Sequence, residues 1–251
     1  MWTHELIKTR ALAILKTNYW EAFVISLVIG VVSGGFKVTY NENRTGFIFD
    51  IENGIRLSTG QIDKLLAFSS IAFGIFIVGL FLKIVLVYSI EVGGRKFFIQ
   101  AAEGESKMGY IGYGFKKEWY LDIILTMLLR QIYLFLWMIL LIIPGIIKTY
   151  AYTMVPYILA DNPTIGYNRA IELSNQMTQG EKFDMFLLDL SFLGWYILGL
   201  FAFCIGGIFV MPYENATKAE LYLVLRDKAI DSKLTSYEEL NIEPNLDPED
   251  S

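Results

Sequence analysis

The chain has 251 residues, of which 54% are hydrophobic and 19% charged, and it carries a formal net charge of -5. This acidic balance argues against a nucleic-acid partner. A lone cysteine, Cys204, excludes an internal disulfide and a cysteine metal cluster, and a lone histidine, His4, excludes a histidine metal site or a catalytic triad. Mean hydropathy is +0.44, and the apolar residues gather into runs that can cross a bilayer, which takes roughly 20 residues per helix. The expected fold is an all-α polytopic membrane bundle of about six transmembrane helices with one amphipathic cytoplasmic helix.

Residues 3–20, THELIKTRALAILKTNYW, read as a helix with Lys8, Arg10 and Lys16 set among leucines and isoleucines. Its end in Tyr19-Trp20 suits either an interfacial helix or an extension of the first span. Two acids precede the first apolar run and no small-residue cleavage site follows, so it is not an obvious signal peptide. The first span is 21–36. Residues 37–63 are polar and turn-rich, with a weak hairpin signal around Phe47 and Ile51.

The second span, 65–90, is interrupted by Lys83, and a basic, glycine-rich stretch follows in which Gly93-Gly94 reads as a helix break. The third span, 121–143, contains Arg130. Residues 121–160 as one helix would measure about 60 Å, twice the hydrocarbon thickness, so Pro144-Gly145 is expected to turn the chain. The returning span is 146–160, with Pro156 expected to kink its exit.

Asn162 is expected to cap a helix opened by Pro163, with Ile165, Ala170, Ile171, Ser174 and Met177 near one face and Gly180 as its stop. The fifth span is 183–204, Gly206-Gly207 is a break, and the sixth span is 208–226 with Pro212 inside it. These blocks hint at repeated helical hairpins. The chain is thus expected to be one transmembrane domain over residues 1–228, followed by an acidic, disordered tail over 229–251. Removing that tail should leave the fold intact.

Lys and Arg concentrate in the loops that become cytoplasmic if both termini lie inside. Ionisable groups within spans are the functional pointers, because each is costly in lipid. Lys83 and Asp189 lie at similar depth, as do Arg130 and Glu214, the latter beside Asn215. Two buried pairs are therefore expected, Lys83 with Asp189 and Arg130 with Glu214. They would either line a polar cavity for an anionic or zwitterionic group or brace the bundle. Asn215-Ala216-Thr217 matches a glycosylation sequon but sits inside a span. No nucleophile has a base beside it, so no catalytic residue, cofactor or metal is expected.

Several stretches resemble one bacterial membrane family: EVGGRKFF, LWMILLIIPGIIKTYAYTMVPYILADNP, AIELSNQMTQGEKFDMFLLDLSFLGW, PYENATKAELYLVLR and the opening ELIKTRALAILKTNYWEAF. This is the domain of unknown function 975 family, found chiefly in Firmicutes, and the resemblance runs from Glu5 to about Arg226. Cys204-Ile205-Gly206-Gly207 departs from the family's tendency to Gly-Ile-Gly, and Glu181 stands where histidine is expected. The resemblance implies a multi-helix protein of the bacterial plasma membrane without established enzymatic activity. The helix arrangement is also similar to the membrane domain of some glycerophosphodiester phosphodiesterases, from which no residue carries over. The expected role is non-enzymatic, either handling a lipid or small amphiphile or acting as an accessory to a transporter. The expected partners are membrane lipids and another membrane protein. An immunity protein acting through residues 37–63 and a secondary transporter are the alternatives.

Overall fold

A computed structural model describes residues 3–32, 59–201 and 206–243, and every regular element among them is helical. Residues 33–58, which carry Gly34-Gly35 and the expected hairpin, and Cys204 lie outside the described residues.

Helix α1, His4–Val32, is broken at Asn18, where φ and ψ leave the helical region. Its two parts, His4–Lys16 and Asn18–Ile29, meet at 106°. The first part is therefore not a straight extension of a span. Its inner face, Ile7, Ala11 and Leu15, is buried, and Lys8 reaches Ser191 at 2.7 Å.

Helix α2, Thr59–Leu82, passes through a single wide π turn, Lys83–Val87, into α3, Tyr88–Ala102. Phe68, Ile71, Phe73, Ile75, Phe76 and Phe81 of α2 are all more than 60% exposed, as suits a helix bathed in hydrocarbon. The expected break at Gly93-Gly94 is not there. The glycines sit in the middle of α3, where a Cβ on Gly93 would strike the Ile111 carbonyl and one on Gly94 the Ile29 side chain. They are present for close packing, Gly93 against the 3-10 segment Met108–Phe115 and Gly94 against α1.

Helix α4, Tyr120–Leu140, ends where Leu141 turns extended, and α5, Ile142–Ala151, starts at once. The turn thus precedes Pro144-Gly145. Pro144 occupies the first turn of α5, where a helix needs no N–H donor, and the Gly145 N–H makes an early bond to the Leu141 carbonyl at 3.0 Å. Gly145 also lets α5 approach α4: a Cβ there would lie 3.0 Å from the Met138 Cα.

Pro156 does not kink a span. The chain turns at residues 152–154, and Pro156 lies in the first turn of a separate buried helix, α6, Val155–Asp161. Asn162 does not cap the next helix either. Its Oδ1 accepts from the Thr164 N–H at 2.9 Å in a tight turn, and α7, Tyr167–Met177, begins after Gly166 at φ 85°. Ala170, Ile171, Ser174 and Met177 face inward as the periodicity predicts, and Gly180 takes a left-handed φ of 85° beyond the helix end.

Helix α8 is Lys182–Phe201 and α9 is Gly206–Asp231. Gly206 and Gly207 open α9, and Pro212 sits inside it without ending it. The tail expected to be disordered from 229 is folded through 243. The last turn of α9 includes Ala229 and Ile230, and α10, Tyr237–Leu240, docks with Leu240 fully buried. Ser236 caps α10 by accepting from the Glu239 N–H at 3.1 Å, and Asn241 closes it in the left-handed region.

Among the described residues two helices are long and apolar enough to cross a membrane, Leu66–Ala102 and Tyr120–Leu140, and the bent pair in α1 would make a third span. Helix α5 rises only about 15 Å, and α8 and α9 carry charges within their apolar runs.

Candidate functional site

The interior polar groups form a band on α3, α6 and α9. On α9, Glu214, Lys218, Tyr222 and Arg226 recur every fourth residue, so they line one face over about 18 Å. At one end of this ladder, Asp161 closes α6 with only 2% of its surface exposed. It accepts from the Tyr222 hydroxyl at 2.8 Å and from Arg226 at 3.1 Å, with Lys96 at 3.5 Å. Arg226 also bonds Glu103 at 2.7 Å. Such a pair is tolerable in a dry interior because nearly every charge has a partner.

In the middle, Arg95 donates to Asn215 at 2.7 Å and lies over the ring of Tyr157 at 5.0 Å. Asn215 passes the contact to Ser26 on α1 at 3.0 Å. The sequon is buried: Ala216 and Thr217 are fully covered. At the far end, Lys218 bridges Glu214 at 2.7 Å and Asp189 at 3.3 Å, and the Tyr196 hydroxyl donates to Glu214.

The structure therefore brings Asp189 and Glu214 together on Lys218, sets Asn215 on Arg95, and corrects the expected Arg130–Glu214 pair. Asp189 takes Lys218, and the expected Lys83–Asp189 pair falls outside the described residues. Lys83 opens the π turn, and its side chain lies outside what is described. Arg130 does not reach Glu214 as a partner; its Nε donates to the Tyr152 carbonyl at 2.9 Å, satisfying the turn between α5 and α6. Sequence reasoning missed Asp161, Lys218, Tyr222 and Arg226. The four-residue spacing in ENATKAELYLVLR was the available signal. The cavity at the Asp189–Lys218 end measures only about 10 Å³, room for about one water. Among the described residues, no three His, Cys, Asp or Glu side chains come together as a metal site.

The larger space lies elsewhere. The first part of α1 leaves a groove against α8 and α9 of about 830 Å³, lined by Leu12, Lys16, Tyr19, Trp195, Phe209 and Val210. Its walls are mostly apolar, with Lys16 exposed on its border.

Residues 138–229 match the model of a family described as "Protein of unknown function (DUF975)". The matched stretch runs from the end of α4 into the last turn of α9 and holds Asp161, Asp189 and the α9 ladder; α1 and α3 lie before it. No curated protein and no solved structure matches the chain.

Proposed function

We propose that this chain is a non-enzymatic, multi-pass protein of the bacterial plasma membrane that handles a lipid or small amphiphile. In this reading the crossings are the second part of α1, α2 with α3, α4, α5 with α6, α8 and α9, and both termini are cytoplasmic, as the Lys and Arg bias of the loops favours.

The groove of about 830 Å³ carries the reading. Its volume falls in the range of small-molecule sites, its walls suit an acyl chain, and a cationic side chain stands at its edge. The polar band, by contrast, is densely bonded and nearly closed, which suits a brace better than a transport path.

The test is native mass spectrometry of the full chain in mild detergent, with lipid analysis of whatever remains bound. A stoichiometric lipid, lost when Val210→Trp fills the groove and retained in Asp189→Asn, is the expected result. A wild-type protein carrying no retained lipid would remove the basis of the proposal.

A further inference from the structure

A second cavity, of about 460 Å³, adjoins the groove, and Ala13 lines both. Its walls include Arg10, Glu103, Glu220, Arg226 and Asp227. The lipid-handling reading does not require this cavity to be charged, and its charges are unevenly matched. Arg226 meets Asp161 and Glu103 and lies 3.9 Å from Asp227, and Lys96 meets Asp161. In the lining itself Arg10 and Arg226 stand against three acids, Glu103, Glu220 and Asp227. Arg10 is exposed. Glu220 is only 5% exposed and its carboxylate takes part in no hydrogen bond or close ion pair among the described residues, with Arg10 as the cation that acts on it. A carboxylate this covered is costly unless it is paired at close range, and this one lines an open space.

We propose that this cavity seats the headgroup of a phospholipid bearing a primary ammonium, with the ammonium on Glu220 and Asp227, the phosphate on Arg10, and an acyl chain in the adjoining groove. The inference rests on the lipid-handling reading above. Geometry supports it. From Glu220 to Phe209, α9 rises about 16 Å, close to half of the roughly 30 Å hydrocarbon thickness, so one leaflet's lipid fits the run from polar to apolar cavity. The polar cavity lies toward the end of α9 at Asp231, which the proposed topology places on the cytoplasmic side, so the lipid belongs to the inner leaflet. A primary ammonium can donate hydrogen bonds to Glu220. A quaternary ammonium cannot, and a glycerol headgroup brings no cation to balance the two acids.

The decisive experiment offers the full chain, in mild detergent, equimolar dioleoyl phosphatidylethanolamine, phosphatidylcholine and phosphatidylglycerol, and reads occupancy by native mass spectrometry. The wild type should prefer the ethanolamine lipid by about tenfold. Glu220→Gln should bring the three lipids toward parity while total lipid stays bound, and Val210→Trp should remove all three. Arg10→Gln, at an exposed site that leaves the core alone, should weaken all three phospholipids together. Equal occupancy in the wild type, or a preference that survives Glu220→Gln in a folded variant, would overturn the headgroup assignment and leave the groove reading standing. Absence of any retained lipid would take both down.

Discussion

Asp161 holds Arg226 across 65 positions of sequence at 3.1 Å, and the same carboxylate oxygen accepts from Tyr222 at 2.8 Å. One side chain at the end of α6 thereby ties down the last third of α9. Asp161→Asn should cost about 3–5 kcal/mol, because it leaves Arg226 and Lys96 buried beside one carboxylate instead of two. Tyr222→Phe should cost only about 1 kcal/mol. Thermal unfolding in detergent measures both, and equal losses would contradict the charge-balancing role.

Lys218, rather than Arg130, is the counter-ion of Glu214. A double-mutant cycle between Lys218→Met and Glu214→Gln should show coupling of about 1–3 kcal/mol. The exchange of Arg130→Glu with Glu214→Arg should recover nothing beyond the sum of the single losses, since Arg130 serves the Tyr152 carbonyl. A clear rescue by that exchange would restore the pairing expected from depth alone.

Close backbone approach at two glycines makes a contrast within one region. A Cβ on Gly93 would meet the Ile111 carbonyl and one on Gly114 the Ser89 carbonyl, whereas Gly109 and Gly112 face open space. Gly93→Ala and Gly114→Ala should each destabilise by about 1–3 kcal/mol by forcing the 3-10 segment off α3. Gly109→Ala and Gly112→Ala should stay within about 0.5 kcal/mol.

The end of the chain should respond to acid. Arg169 donates to Glu239 at 2.6 Å and to the Leu234 carbonyl at 2.6 Å. The hydrogen bond from Arg169 holds the Glu239 carboxyl below its ordinary value. A depressed carboxylate contributes stability that is present above its unfolded value of about 4.3 and lost as pH falls through the lower folded value. The protection factor of the Leu240 amide, its exchange rate relative to the intrinsic rate at the same pH, should therefore fall in acid below that point and not with rising pH. Truncation after Lys228 should lower the melting temperature, because it removes Ala229 and Leu240 from the core. A melting temperature unchanged by that truncation would show the docking of α10 to be inconsequential.

How much of this was legible beforehand varies by element. The apolar runs of α2 and α4, the inward face of α7 and the stop at Gly180 follow from periodicity and glycine chemistry alone. Turn positions slipped by a few residues, because Pro144 and Pro156 are equally at home in the first turn of a helix and in the break before it. Gly93-Gly94 looked like a breaker because a sequence cannot show that a neighbouring segment needs the missing Cβ.

The polar network divides the same way. Hydropathy and helical spacing are local properties, so the helices, their greasy stretches and the presence of charges within them can be read along the chain. Partner choice depends on how the helices rotate and at what depth they cross. Depth matching alone joined Arg130 to Glu214; packing of α6 and α8 against α9 instead gave Asp161 to Arg226 and Asp189 to Lys218. The groove beside α1 belongs to the same class of facts, since it exists only because that helix breaks at Asn18 and its first part comes to lie along α8 and α9.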